Sequence, residues 1–190
     1  MICKARMFLA IAVCCLTLFF NVHLFAADLA GVTLPDTVQV GSRTLVLNGL
    51  GLRTKFVVKV YVAGLYLPQK SADAEGIVKA DAPKRLVMQF ARSVSKKQVA
   101  DGFTESFDDN VPEAKRTVGV DIEHFMAALE AVKEGDQMIF TYIPDAGTTF
   151  AINGKEKLTI PGLGFSQALF SVWLGPKPPT AGLKKGILGQ

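Results

Sequence analysis

An apolar run extends from Phe56 to Leu67, and Pro68 follows it directly. Hydrophobic residues occupy neighbouring positions in this run instead of alternating with polar ones. That pattern is typical of a strand covered on both faces. We therefore predict a central β-strand, in which the polar groups of Lys59 and Tyr61 require a specific role.

The preceding segment has the pattern of a short antiparallel hairpin. After a lead-in over residues 28–35, two short alternating runs, Thr37–Val40 and Arg43–Leu47, flank a Gly-Ser turn. Asn48-Gly49 is a strong turn signal, and Gly51 adds conformational freedom before the central strand. We therefore expect the chain to turn again between the hairpin and the central strand.

Helical and strand patterns alternate after Pro68. Ser71 has the position of a helix N-cap, and residues 84–93 alternate between two faces as a strand does. A capping box at Ser95 and Gln98 starts a second helix. A third helix is predicted over Val120–Lys133, where apolar residues recur at helical spacing.

The C-terminal third predicts a three-stranded meander followed by an apolar helix. The strands are expected over residues 137–143, 148–152 and 155–160, and the helix over residues 162–174, with Trp173 in the core. This order of elements indicates an α+β fold, in which one antiparallel sheet carries helices mainly on one face.

The N-terminus has the composition of a secretory signal. Lys4 and Arg6 form a charged region, and Met7–Phe20 form an apolar segment that is short for a membrane span. We predict a signal peptide over residues 1–26 and one domain over residues 27–190. The domain is then expected to be periplasmic or secreted, without a stable membrane span once the signal is cleaved.

Composition narrows the possible chemistry of this domain. The three cysteines of the chain, Cys3, Cys14 and Cys15, all fall within the predicted signal. The domain is therefore expected to have no disulfide, thiolate nucleophile or cysteine metal site. Lipid attachment at Cys14 is an alternative to cleavage, as is an uncleaved anchor. His124 fits a polar position on a helix, and no metal site or cofactor is predicted. Removing Lys4 and Arg6 lowers the formal net charge from +4 to +2, which does not favour nucleic acid.

Arg53 is the best candidate for a functional residue. An arginine beside an apolar cleft suits an amphipathic anion, because the guanidinium binds a carboxylate bidentately. The alternative is that Arg53 pairs with an internal carboxylate while Tyr61 packs in the core. Arg53 and Tyr61 are an even number of residues apart, so they would lie on the same face of a continuous strand. Eight residues of straight strand, however, span about 26 Å. They can meet only if the chain folds back, and we place that break at Thr54–Phe56.

Two sequence blocks resemble the chalcone isomerase-like superfamily, specifically its bacterial secreted branch. They are Gly-Leu-Gly-Leu-Arg-Thr-Lys with Lys-Val-Tyr-Val-Ala-Gly-Leu-Tyr-Leu, over residues 49–67, and Gly-Phe-Ser-Gln-Ala-Leu-Phe-Ser-Val-Trp-Leu-Gly, over residues 164–175. The resemblance implies an open-faced β-sandwich: a large antiparallel sheet, a layer of helices, and a cleft between them. It implies two functional types, namely ring-closing isomerases and non-catalytic fatty-acid-binding proteins.

The resemblance also assigns residues. The family arginine falls on Arg53, and the catalytic threonine falls on Tyr61, as in the fatty-acid-binding pattern. The catalytic tyrosine falls near Val99 and the catalytic asparagine near Ser106, so three of the four polar groups of the isomerase are replaced. These replacements favour binding over catalysis.

We therefore expect a periplasmic, non-catalytic protein that binds a fatty-acid-like or other apolar carboxylate. Arg53 and Tyr61 would hold the carboxylate, and apolar residues would line the cleft: Val99, Phe103, Leu129 and Phe165. One alternative is an isomerase (an intramolecular lyase) with Arg53 as its catalytic group and a phenolic or enone substrate. Another is an envelope protein that serves a structural or partner-binding role. The sequence does not determine the oligomeric state.

Overall fold

The computed structural model describes residues 26–190. The predicted signal peptide lies outside the described residues, except for its last residue, Ala26. The strands are β1 (Ala26–Leu29), β2 (Val32–Pro35), β3 (Thr37–Val40), β4 (Arg43–Lys55), β5 (Val58–Leu67), β6 (Lys84–Phe90), β7 (Gln137–Ile143), β8 (Gly147–Ile152) and β9 (Lys155–Ile160). The helices are α1 (Ala74–Lys79), α2 (Lys96–Asn110), α3 (Ala114–Ala128), α4 (Leu163–Leu174) and α5 (Ala181–Ile187).

A seven-stranded antiparallel sheet organises the molecule. Its strands follow the chain order from β3 to β9, and each pairs with its neighbour in sequence. The predicted meander of β7, β8 and β9 is confirmed, as is the β3–β4 hairpin. The α+β class and the large sheet with a layer of helices are therefore confirmed.

The sheet buries apolar side chains on both faces. The larger core lies on the helix side, where Phe103, Phe125 and Trp173 pack against the sheet. A smaller core lies on the opposite face around Val62 and Tyr66. Residues of β1 and β2 belong to this second core, so the lead-in predicted for residues 28–35 is in fact mostly a covering hairpin.

The central strand is buried on both faces as predicted, but it begins at Val58 instead of Phe56. Phe56 and Val57 form the turn that joins β4 to β5, and Phe56 has a positive φ of 57°. The chain therefore folds back at the break predicted for Thr54–Phe56. This turn makes β4 and β5 neighbours in the sheet.

The turn predicted at Asn48-Gly49 is wrong, because β4 continues through it with only a register shift. A Cβ on Gly49 would lie 2.2 Å from the Gly186 carbonyl oxygen, and one on Gly51 would lie 2.3 Å from that of Leu183. These glycines let α5 lie directly on β4. The buried Asn48 amide donates to the Ser71 carbonyl (2.9 Å) and the Ile187 carbonyl (2.8 Å), which ties three segments together.

The structure corrects the predicted cap of the first helix and the predicted bounds of the third, and it confirms the predicted start of the second. Asp73, not Ser71, caps α1, because the Asp73 carboxylate accepts from the Gly76 amide. The third helix begins at Ala114 and ends at Ala128, six and five residues before the predicted bounds of Val120 and Lys133. The capping box at the start of α2 is confirmed.

Lys84 fastens α1 to the sheet. It is buried at the start of β6, and its ammonium donates to the carbonyls of Ile77 (2.9 Å) and Ala80 (2.8 Å) at the end of α1. Burial lowers the pKa of Lys84 to about 8, which the nearby Asp81 partly offsets. The ammonium remains the main form at neutral pH and satisfies carbonyls that the helix end leaves free.

Candidate functional site

The β4–β5 hairpin brings Arg53 and Tyr61 together. The two residues are direct partners in the strand register, and the Arg53 guanidinium carbon lies 5.6 Å from the centre of the Tyr61 ring. Between them the register shifts, because Tyr61 pairs with Arg53 whereas Lys59 pairs with Thr54. This bulge leaves Val60 without a partner in β4 and lets both Val60 and Tyr61 face the helix-side core.

Arg53 has no protein counterion in the described part of the chain. Its Nε is buried and makes no hydrogen bond, and no carboxylate of residues 26–190 forms an ion pair with its guanidinium. The expected alternative, an internal carboxylate partner, is therefore not observed. A buried, unpaired donor on a cation is unfavourable, and an anion placed there would satisfy it.

Tyr61 presents a hydroxyl whose proton is free to be donated. Its side chain is 3% exposed, and its oxygen accepts a hydrogen bond from Trp173 Nε1 at 3.2 Å. Burial raises the pKa of Tyr61, while Arg53 and the Trp173 bond oppose that effect. The phenol therefore stays protonated at neutral pH and can donate to an acceptor beside Arg53.

All four residues expected at the ligand site line one cavity between the sheet and α2: Arg53, Tyr61, Val99 and Phe103. The cavity also receives side chains from β5, β6 and α4, among them Val60, Met88, Phe90, Val172 and Trp173. Gly102 on α2 faces the guanidinium, and a Cβ there would make an ordinary contact with Arg53 Nη1 at 3.9 Å. Leu129 and Phe165 do not line this cavity; they belong to the packed core.

The cavity is small. Its volume is about 40 Å³, enough for a few water-sized groups but well below the several hundred Å³ of a typical ligand pocket. Phe103 closes one side of the cavity and packs edge-on against Phe125 and Trp173, with ring centroids 4.9 Å and 5.9 Å apart. A carboxylate group fits in the cavity as it stands, whereas an acyl chain needs side chains or α2 to move.

An adjoining pocket of about 140 Å³, which we call the mouth, shares Arg53, Gln98 and Gly102 with the cavity. Lys55 and Arg92 line this mouth together with two carboxylates, Asp101 and Glu105. Asp101 forms an ion pair with Lys97 at 2.7 Å. The mouth therefore carries three cations against two carboxylates, one of which is already paired, which favours the approach of an anion.

The inner cavity has no side chain suited to general base catalysis at neutral pH. Its polar groups come from Arg53, Tyr61, Gln98, Ser106 and Trp173, and its lining contains no carboxylate, histidine or lysine. No cluster of potential metal ligands occurs within residues 26–190. The arrangement can hold and neutralise an anion, but it has no group that would readily remove a proton.

Sequence reasoning missed the contribution of two polar side chains to this site. Trp173 was assigned to the core, yet its indole N–H also orients the Tyr61 hydroxyl. Gln98 caps α2 and at the same time lines the cavity. The position of Trp173 on an apolar helix contains no signal for a polar contact, because its partner is 112 residues away.

Comparison with known proteins identifies a family and a similar structure for the domain. Residues 26–189 match a family model described as chalcone isomerase-like. The structure is similar to the crystal structure of a fatty-acid-binding protein of Arabidopsis thaliana, with a TM-score of 0.70 and 15% identity. That match covers 86% of this chain and 96% of the plant chain. A search of curated proteins finds no match. Residues 26–190 contain no helix long and apolar enough to cross a bilayer.

Proposed function

Since the chain belongs to the chalcone isomerase-like family, we propose that it binds an apolar carboxylate, such as a fatty acid, without catalysis. The carboxylate sits between Arg53 and Tyr61, at the inner end of the cavity lined by α2. The likeness to a plant protein described as fatty-acid-binding supports this choice of ligand.

The observation that carries the proposal is the unpaired guanidinium of Arg53. The Nε–H of Arg53 is buried without an acceptor, which is unfavourable, and a ligand carboxylate would supply that acceptor. Tyr61 adds a neutral donor beside it, and the other walls are mainly apolar. This combination matches a ligand with one charged end and an apolar body.

The apolar body of the ligand requires space that α2 provides by moving outward. Val99, Phe103 and Phe107 are the buried residues through which α2 contacts the core, whereas its opposite side is polar and exposed. A shift of this helix exposes the apolar face of the sheet to the ligand and leaves Arg53 in place on β4. The carboxylate site is thus already formed, and the chain site opens on binding.

The absence of a base from the inner cavity favours binding over an intramolecular lyase. Arg53 alone still stabilises a phenolate that ionises near neutral pH, so the lyase remains the second candidate. Assays with chalcone-like phenolic enones distinguish the two. We expect no rate above the buffer reaction, and a rate that disappears in Arg53→Ala would favour the lyase instead.

We propose that binding takes place in the periplasm after cleavage behind Ala26. The apolar segment and the charged residues of the N-terminus support this location. Cell fractionation followed by N-terminal sequencing tests it. A protein that begins at Ala27 in the periplasmic fraction is expected, and an intact N-terminus in the cytoplasm would contradict it.

Native mass spectrometry tests the ligand. The protein is isolated without detergent, and its mass is compared before and after organic extraction. We expect a mass excess that extracts as a fatty acid, and at least about tenfold weaker uptake of added fatty acid in Arg53→Ala. The size follows from the ~1.5–3 kcal/mol of a charged hydrogen bond.

Arg43→Ala is the matched control, because Arg43 is exposed on the same strand and its loss changes the net charge equally. Equal fatty-acid affinity in Arg53→Ala and the parent would refute the proposed carboxylate site. A parent protein with no bound lipid and no uptake would instead favour a structural or partner-binding role in the envelope.

A further inference from the structure

The tip of the β4–β5 hairpin exposes consecutive apolar side chains to solvent. Phe56 is 93% exposed, Val57 is 96% exposed, and the next residue, Val58, is 43% exposed. Single exposed hydrophobic residues are ordinary on protein surfaces. Three consecutive ones at the end of a protruding hairpin form a continuous apolar tip, which we call the hairpin tip (Phe56–Val58).

The conformation of the hairpin tip adds to its exposure. Phe56 has a φ of 57°, although the first position of such a two-residue turn normally favours glycine. Glycine there would remove the strain and the exposed ring together. The chain instead carries a large apolar side chain at a position where it packs against nothing in the described part of the protein.

Positive charges flank the hairpin tip on both strands. Lys55 precedes it and Lys59 follows it, and both side chains are exposed. Neither lysine forms an ion pair with a described carboxylate. An apolar end bordered by lysines matches the boundary of an anionic bilayer, where the ring enters the acyl region and the lysines reach the phosphates.

The hairpin tip lies next to the mouth of the cavity. Lys55 lines that mouth beside Arg53 and Val60. Arg53 lies three residues from Phe56, or about 10 Å along the strand. A bilayer that holds the hairpin tip therefore brings its surface to the opening of the carboxylate site.

We propose that the hairpin tip docks the protein on an anionic lipid bilayer and presents the cavity mouth to that surface. The docking itself needs no ligand. Its consequence, that an apolar carboxylate passes between bilayer and cavity, rests on the proposed function.

Vesicle flotation tests the docking. The protein is used as the cell processes it, with its N-terminus read by mass spectrometry. Vesicles of phosphatidylglycerol and phosphatidylcholine are compared with vesicles of phosphatidylcholine alone, all free of fatty acid. We expect flotation with the anionic vesicles, weakened at high salt, and roughly tenfold weaker partitioning for Phe56→Ser/Val57→Ser.

Two matched controls separate the hairpin tip from general effects. Val120→Ser removes a side chain that is 64% exposed on α3 and is expected to leave flotation unchanged. Lys55→Gln/Lys59→Gln is expected to weaken flotation, whereas Lys155→Gln/Lys185→Gln, which removes the same charge from exposed positions elsewhere, is not. Equal flotation of parent and tip variant, or no flotation of the parent, would overturn the proposal.

The outcomes also separate this inference from the carboxylate site. The tip variant should still bind fatty acid supplied in solution, and Arg53→Ala should still float with the vesicles. Sedimentation velocity tests a rival occupant, a second copy of the chain. A parent dimer that dissociates in the tip variant, without vesicle binding, would assign the hairpin tip to self-association and overturn the proposal.

Discussion

At the scale of single residues, the candidate site is built on a series of polar side-chain contacts inside an apolar core. Trp173 donates to the Tyr61 hydroxyl, and Tyr61 in turn lies against the Arg53 guanidinium. The indole N–H donates to the Tyr61 oxygen, so the hydroxyl proton of Tyr61 remains available to a further acceptor. Tyr61 thus has two roles: it satisfies a buried donor, and it presents another.

Replacing Tyr61 by phenylalanine should separate those roles. We expect Tyr61→Phe to weaken fatty-acid binding about three- to tenfold and to cost about 1–3 kcal/mol of stability, because Trp173 Nε1 loses its acceptor. Ligand titration and urea unfolding measure the two effects. Tyr66→Phe is the control: it loses a hydrogen bond to Pro35 in the other core and should lower stability alone. Unchanged affinity in Tyr61→Phe would remove Tyr61 from the site.

At the scale of elements, the position of α5 on β4 depends on close backbone contact. Gly51 and Gly186 face each other across this contact, where a Cβ on Gly186 would lie 2.3 Å from the Leu50 carbonyl oxygen. Glycine serves here to remove a side chain, not to form a turn. The C-terminal helix therefore supports the same strand that carries Arg53.

Gly51→Ala should displace α5, because the new methyl group would lie 2.3 Å from the Leu183 carbonyl oxygen. Overpacking of this kind costs about 1–3 kcal/mol. Gly182→Ala is the matched control on α5 itself: nothing lies within 4 Å of its Cβ position, and the change should be neutral or stabilising by up to about 1 kcal/mol. Urea unfolding of both variants decides, and equal midpoints would contradict a close contact.

At the scale of the whole molecule, the sheet shields tyrosines on both of its faces. Tyr61 and Tyr142 lie in the helix-side core, and Tyr66 lies in the second core. Burial raises the pKa of Tyr66 to about 12; burial and the Asp81 carboxylate raise that of Tyr142 to about 12. Burial raises the pKa of Tyr61 as well.

The three tyrosines of the chain should therefore ionise together with unfolding instead of near pH 10. A raised folded-state pKa means that the folded protein keeps protons that the unfolded chain releases. The stability that Tyr66 and Tyr142 contribute in this way is full below about pH 10 and is lost as the pH rises toward 12. Tyrosinate absorbance followed against pH, alongside circular dichroism, measures this. Tyrosinate formation at pH 10 in the folded protein would contradict shielding.

The elements that sequence patterns predicted well are those determined by local forces. Alternation and turn residues located β7, β8 and β9, and the Ser95 capping box located the start of α2. Strand parity and the distance between Arg53 and Tyr61 required a fold-back, which lies at Phe56 and Val57. The resemblance to the chalcone isomerase-like family added the cleft between sheet and helices.

By itself, the sequence determined the order of the elements from β3 onward, the class of the fold and the arginine that we propose as the centre of the candidate site. Only the tertiary structure decided that Gly49 and Gly51 admit a helix instead of a turn, and that Trp173 orients Tyr61 across 112 residues. The reason is physical. Periodicity and turn chemistry act between near neighbours, whereas close packing and buried hydrogen bonds join residues that only the folded chain brings together.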